Sequence, residues 1–231
     1  MAPPTTRSPR SSRSPRPSRS SGTGRRGKPR WQRRKDARPE EIVNAALEEF
    51  VERGFAATRL EDVARRAGVT KGTLYLYFKN KEALFKAVVR QTIVPVIAQG
   101  ESTARSFAGS ARELLEQLVR EYWRLVYETS LAGIPKLMMA EASNFPQLAR
   151  FYYDEVVTRG HRLLGGVIER GMKSGEFRRV DIPAATKLAL SPLMHATVAS
   201  RAFAACMPEG FDPRRYLDTH IDLYLNGIAN R

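Results

Sequence analysis

Cysteine occurs once in these 231 residues, at Cys206. A single thiol forms no internal disulfide and builds no cysteine-rich metal site. The expectation is a reducing, cytoplasmic compartment, with Cys206 as a buried small hydrophobe. Long apolar runs are also lacking. The most lipid-like stretch, 184–207, has only 13 residues between Lys187 and Arg201, where a hydrocarbon core of about 30 Å needs roughly 20. Before Glu40 the apolar residues are Met1, Ala2, Trp31 and Ala37, too few for a secretory signal. There is no glycine-rich phosphate loop, no His-Glu-x-x-His and no serine elbow. Carboxylates do not cluster beside histidine, and His161, His195 and His220 are too scattered to hold a metal. These absences argue against an enzyme and imply no cofactor. No stretch alternates apolar and polar residues long enough to suggest a sheet, and nothing repeats at a solenoid period.

What is present is positive charge, +15 in all, concentrated at one end. Residues 1–38 hold 13 of the 39 basic residues and one acid, Asp36; the remainder carries 26 bases against 23 acids. Residues 1–35 are Arg, Ser and Pro with scattered Gly, a composition that cannot bury enough apolar area to offset chain entropy, so a disordered tail is expected. Such a tail reads equally as a phosphate-binding arm or as a solvated leader. Its transit-peptide-like composition lacks an apolar face.

The rest reads as helices, and the fold class as all-α. The first is expected from Pro39, with Ile42, Ala46 and Phe50 on one face, ending at Gly54. Thr58 with Glu61 three residues on suggests a capping box opening a second helix, striped by Leu60, Val63, Ala64 and Ala67 and stopped by Gly68. Thr70 caps a third from Lys71 to about Phe78, and Asn80 caps a fourth. Downstream, 114–126 and 148–171 are amphipathic. A helix over 182–205 contains Pro192, and the last opens at Asp212-Pro213.

A capped helix, a glycine turn and a second capped helix, over 59–78, is the helix-turn-helix pattern. Leu74 and Phe78 can face inward at i and i+4 while Lys71, Thr73, Tyr75 and Tyr77 project outward. Gly72 lets backbone approach a duplex closely, and Lys81 in the next first turn can reach a phosphate. The same side chains would also serve as a merely solvated face. The run Ile42 to Phe85, with Ala45-Ala46-Leu47, Gly54-Phe55, Ala57-Thr58, Asp62-Val63-Ala64, Ala67-Gly68-Val69-Thr70-Lys71-Gly72-Thr73-Leu74-Tyr75, Tyr77-Phe78 and Lys81-Glu82-Ala83-Leu84-Phe85, resembles the N-terminal domain of the TetR family.

That resemblance implies a three-helix helix-turn-helix DNA-binding domain over 36–96 and a helical effector-binding and dimerisation domain over 97–231. It implies a homodimeric repressor released from a near-palindromic operator by a small molecule. The DNA surface would comprise Thr58, Arg59, Thr70, Lys71, Gly72, Thr73, Tyr75, Leu76, Tyr77 and Lys81. Arg59 stands where the family has a small hydroxyl residue. Leu76 stands where a polar or aromatic one is common, and an aliphatic group can at most touch a thymine methyl. The last two helices, with small residues Ala196, Ala199, Ala202 and Ala205, would form the dimer interface. Candidate walls of an effector pocket are Trp123, Tyr127, Met138, Met139, Phe151, Tyr152, His161 and Met194, although aromatic and Met residues at helical spacing are also ordinary core. A sequence-indifferent DNA-coating protein using the basic tail is the competing reading.

Overall fold

The computed structural model describes the backbone of residues 30–206 and 210–230, and side chains from residue 39. The tail expected over 1–35 falls outside the described residues as far as residue 29. Ten α-helices account for most of what is described: α1 Arg30–Ala57, α2 Leu60–Arg66, α3 Lys71–Tyr77, α4 Lys81–Ser106, α5 Ala111–Tyr122, α6 Gly133–Glu141, α7 Pro146–Tyr152, α8 Thr158–Ser174, α9 Ile182–Ala202 and α10 Pro213–Ile228. Among the described residues the only β pairing is an isolated bridge, Phe177 to Ala229. No helix there is long and apolar enough to cross a membrane.

The helix ends follow local chemistry. Asn80 and Asp181 accept amide hydrogens at the starts of α4 and α9, and Ser110 and Glu113 close a capping box on α5. Gly175, at φ 79°, ends α8. A π-helical turn, Trp123–Tyr127, prolongs α5, and another, Tyr153–Val157, joins α7 to α8. The long helix expected over 148–171 is therefore a composite.

Some boundaries differ from expectation. The first helix starts at Arg30 rather than near Pro39, and α9 ends at Ala202 before a 3-10 turn at Ala204–Cys206. Cys206 is exposed, not buried. Helix α6 was not anticipated, because Ile134, Pro135, Leu137 and Met138 are all buried and leave no amphipathic stripe.

Two cores organise the chain. The first joins α1 to α4 with α6 and α7, and at its centre Phe50, Phe55 and Phe85 lie 5.5–5.7 Å apart, with Phe145 4.7 Å from Phe55. The second joins α5, α8, α9 and α10. The division expected at 96/97 falls inside α4, which runs on to Ser106, so the two parts share a helix. The α9–α10 pair is held by three side chains of α10: Tyr224 and Tyr216 donate to the carbonyls of Ala185 and Pro192, and His220 Nε2 lies 2.9 Å from that of Ala189. Burial pushes the Tyr224 phenol up to about 12. The outer face of this pair exposes Leu188 and Leu223 by about two thirds (65% and 68%). Ala196, expected at an interface, instead packs into its own subunit's core.

Candidate DNA interface and effector cavity

Helix α3 is short, so its position depends on its neighbours. Thr70 Oγ accepts from the amide of Thr73 at 3.1 Å and shares a hydrogen with Thr73 Oγ at 2.9 Å, closing the first turn. Leu74 and Phe78 are buried on one side, against a core that includes Leu60, Val63 and Ala64 of α2. Gly68, at φ 65°, makes the turn between the two helices. What remains points outward: Lys71 and Gly72, Tyr75 and Tyr77 at 44% and 37% exposure, and Leu76 at 83%. A Cβ on Gly72 would meet only Thr70 Oγ, at 3.8 Å. Internal packing does not demand glycine there, whereas close approach of a duplex would.

Lys71 pairs with Glu61, whose carboxyl it holds below the usual range. Both side chains are at least half exposed, and such pairs contribute about 0–1 kcal/mol. Exchanging Glu61 for a phosphate therefore costs Lys71 little.

Two expected DNA contacts have other work. Thr58 does not cap α2: the N-cap is Arg59, with no side-chain hydrogen bond, and Thr58 is 2% exposed. Gly54, at φ 82°, breaks α1, and the Thr58 hydroxyl is shared between the carbonyls of Gly54 (2.7 Å) and Glu49 (3.2 Å). Lys81 likewise turns inward. Its Nζ donates to the carbonyls of Phe55, Ala56 and Thr58 at 2.6, 2.9 and 3.0 Å and lies 4.7 Å from the Phe55 ring centroid. Burial holds its pKa below the ordinary lysine value. Arg59 is exposed at the start of α2.

An unanticipated ionic brace fixes α2 against α1. Glu49, 2% exposed, lies 3.1 Å from Arg53 Nε and 3.2 Å from Arg66 Nε, while Arg66 also reaches Glu52 at 2.6 Å. The acidic run Glu48-Glu49-x-x-Glu52 opposite Arg65-Arg66 was its signal.

A cavity of about 400 Å³ lies farther along the chain, bordered by the six helices α4 to α9 and the two π-helical turns. Its wall is apolar, with Ile93, Ile97, Val126 and Leu190 among the lining residues. Of the expected wall residues, Tyr152, His161 and Met194 are there. The others sit elsewhere in this structure. Trp123 is core, stacked on Tyr127 with centroids 3.8 Å apart; Met138 is in the first core; Phe151 lies beneath Lys86 and Arg90; and Met139 is 68% exposed. Tyr122 and Lys187 also line the cavity. Burial, then Lys187, holds His161 below the usual imidazole pKa, which favours the neutral ring at pH 7.

Helix α6 links this cavity to the α1–α2 corner. Pro135 is in the cavity wall. At the other end, Glu141 Oε1 accepts from the amide of Ala56 at 3.1 Å. At the first residue of α6, Gly133 touches Val51 so closely that a Cβ would lie 2.4 Å from it.

Residues 42–88 match the model for bacterial regulatory proteins of the tetR family, and 113–226 match that for the AefR-like transcriptional repressor C-terminal domain. The chain is 28% identical over 146 residues to the fatty acid metabolism regulator protein of Bacillus subtilis, covering 62% of this chain and 74% of that protein. It is 30% identical over 145 residues to the HTH-type transcriptional repressor KstR2 of Rhodococcus jostii, covering 62% and 70%. The structure is similar to that of the regulator FadR from Bacillus subtilis in complex with stearoyl-CoA: TM-score 0.70, 24% identity, 82% of this chain and 98% of that one.

Proposed function

The chain belongs to the TetR family of bacterial regulatory proteins, and we propose that it grips a two-fold operator with α3 of each subunit and releases it when an apolar, chain-shaped effector enters the cavity. The observation that carries the reading is the outward row Tyr75-Leu76-Tyr77 on a helix whose other side is buried through Leu74 and Phe78. In this reading Thr70, Lys71, Gly72, Thr73, Tyr75, Leu76, Tyr77 and Arg59 meet DNA. The tyrosines and Lys71 contact phosphates, and Leu76 lies over a base edge where only a thymine methyl suits it. Thr58 and Lys81 support that surface from behind. The chain regulates rather than catalyses, and it works in the bacterial cytoplasm at the nucleoid.

Dimerisation belongs to the family, and the exposed Leu188 and Leu223 support the outer face of α9 and α10 as the seam. Two subunits so joined would present their α3 helices about 34–36 Å apart, one helical turn of DNA. The apolar wall supports an effector with a hydrocarbon chain, and the fatty-acid role named for the Bacillus subtilis relative agrees with that class.

Release then works as a population shift, with α6 as the connecting element. An occupant that displaces Pro135 moves the Glu141 end against the α1–α2 corner. Replacing Glu141 by alanine is expected to leave effector affinity unchanged while operator release requires about tenfold more effector, the scale of a typical coupling energy. Titrating effector against a labelled operator complex measures it. Unaltered release would remove α6 from the pathway.

Selection from a random duplex pool tests the whole reading. A palindrome preferred by about 10³-fold or more over bulk DNA is expected. A monomer that enriches no sequence would overturn it, and a dimer with no preferred site would favour the DNA-coating alternative.

A further inference from the structure

A second recess, of about 370 Å³, runs along α4 and α8. Four guanidinium groups border it, Arg105, Arg159, Arg162 and Arg170, with one carboxylate, Glu101. Two of the arginines are committed. Arg159 holds Glu101 through Nε–Oε1 at 3.1 Å and Nη2–Oε2 at 2.8 Å, and Arg170 donates to the carbonyls of Phe107 and Gly109. Arg105 and Arg162 are exposed and neither hydrogen-bonds nor ion-pairs with another described residue. Glu101 titrates below the usual carboxylate range, first through Arg159 and then through Arg105 and Arg162. One carboxylate thus faces four cations, and the recess has capacity for an anion of more than one charge.

The recess adjoins the effector cavity. A narrow apolar pocket of about 90 Å³ shares Val96, Ile97, Tyr122, Gly160 and Leu190 with the cavity, and it shares Leu163 with the recess. Leu163 is therefore the partition between the apolar interior and the arginines. Its Cδ2 sits 2.8 Å from where a Cβ on Gly100 would be, so the glycine makes room for it. The partition is the end of a side chain, not backbone. From Gly160 to Arg170 along α8 is about 15 Å at roughly 1.5 Å per residue, a span that an extended ligand can bridge.

We propose that the recess seats the polyphosphate end of an effector whose hydrocarbon chain passes Leu163 into the cavity, with Arg105 and Arg162 as the phosphate ligands. The effector class is then a fatty acyl thioester of a phosphorylated nucleotide carrier, not a free fatty acid. A free acid would meet Lys187 and His161 in the cavity wall instead. The proposal rests on the apolar-chain reading given above.

Calorimetric titration of the full chain with stearoyl-CoA, stearate and CoA, on wild type and on R105A/R162A, tests it. Both positions are exposed, so the variant should melt as wild type does. Stearoyl-CoA is expected to bind wild type at least about tenfold more tightly than stearate. The double variant should lose at least about tenfold for stearoyl-CoA and nothing for stearate, the scale of one charge-assisted hydrogen bond. Equal binding of stearate and stearoyl-CoA, or an unaffected variant, would overturn the proposal. If CoA binds wild type alone and neither acyl species binds, the arginine recess stands and the apolar-chain reading falls. Binding of none of the three overturns both.

Discussion

Replacing Tyr75 and Tyr77 together by alanine should weaken operator binding by roughly 10³-fold while the protein keeps a cooperative thermal unfolding transition. Both rings project from α3, at 44% and 37% exposure, and the residues that anchor the helix, Leu74, Phe78 and the Thr70 cap, are all retained in the variant. A dimer loses four phenols at once. At about 1 kcal/mol for each phosphate contact the loss is about 4 kcal/mol, or roughly 10³-fold. The salt dependence separates this from loss of charge. A neutral phenol releases no counterion, so the slope of log K against log salt should stay where it was, whereas losing Lys71 would flatten it. Fluorescence anisotropy on the selected operator at several salt concentrations gives both quantities. Undiminished affinity in the double variant would take the DNA surface away from α3.

The residues that could be placed from sequence are those whose partners are close in the chain. Thr70 caps an amide three residues on, Asn80 does the same for Ala83, and Leu74 with Phe78 share one face of a single helix. The fold class rests on such local signals and on the 3.6-residue stripes of α2, α5 and α10. Thr58 and Lys81 are instead engaged by carbonyls of α1 and the α1–α2 corner, a pairing that local spacing does not announce: Thr58 reaches back four and nine residues, and Lys81 up to 26. The break in α1, at Gly54, lies among those carbonyls. The cavity was half legible for a related reason. Tyr152, His161 and Met194 lie on helices whose amphipathic pattern points them inward, but the same pattern serves Trp123 and Met138, which are core. Spacing reports which face is buried and not whether the neighbouring helix closes on it. Lys187 is exposed yet borders the cavity, so no hydrophobic pattern could signal it.

Lys81 makes the strongest test of that distinction, since the sequence suggests a phosphate contact and the structure shows a structural clasp. Its ammonium gathers three carbonyls at the α1–α2 corner, and Glu141 accepts an amide hydrogen from Ala56 of that same corner. Substituting methionine preserves the length and packing of the stem but removes all three donors. Charge-assisted hydrogen bonds contribute about 1.5–3 kcal/mol each, but here all three come from one ammonium whose charge they share, and the carbonyls are at most partly buried. The expected net loss is therefore about 2–3 kcal/mol. For a chain of this size that corresponds to a fall of roughly 5–10 °C in melting temperature, measured at one fixed protein concentration because the dimer couples assembly to stability. Operator affinity should fall as the corner loosens, with the salt slope unchanged. A phosphate contact would behave in the opposite way: the melting temperature would hold and the slope would drop by about two per dimer, one counterion for each lysine. That second outcome would return Lys81 to the DNA surface and leave the Gly54 break to be held by Thr58 and Glu141.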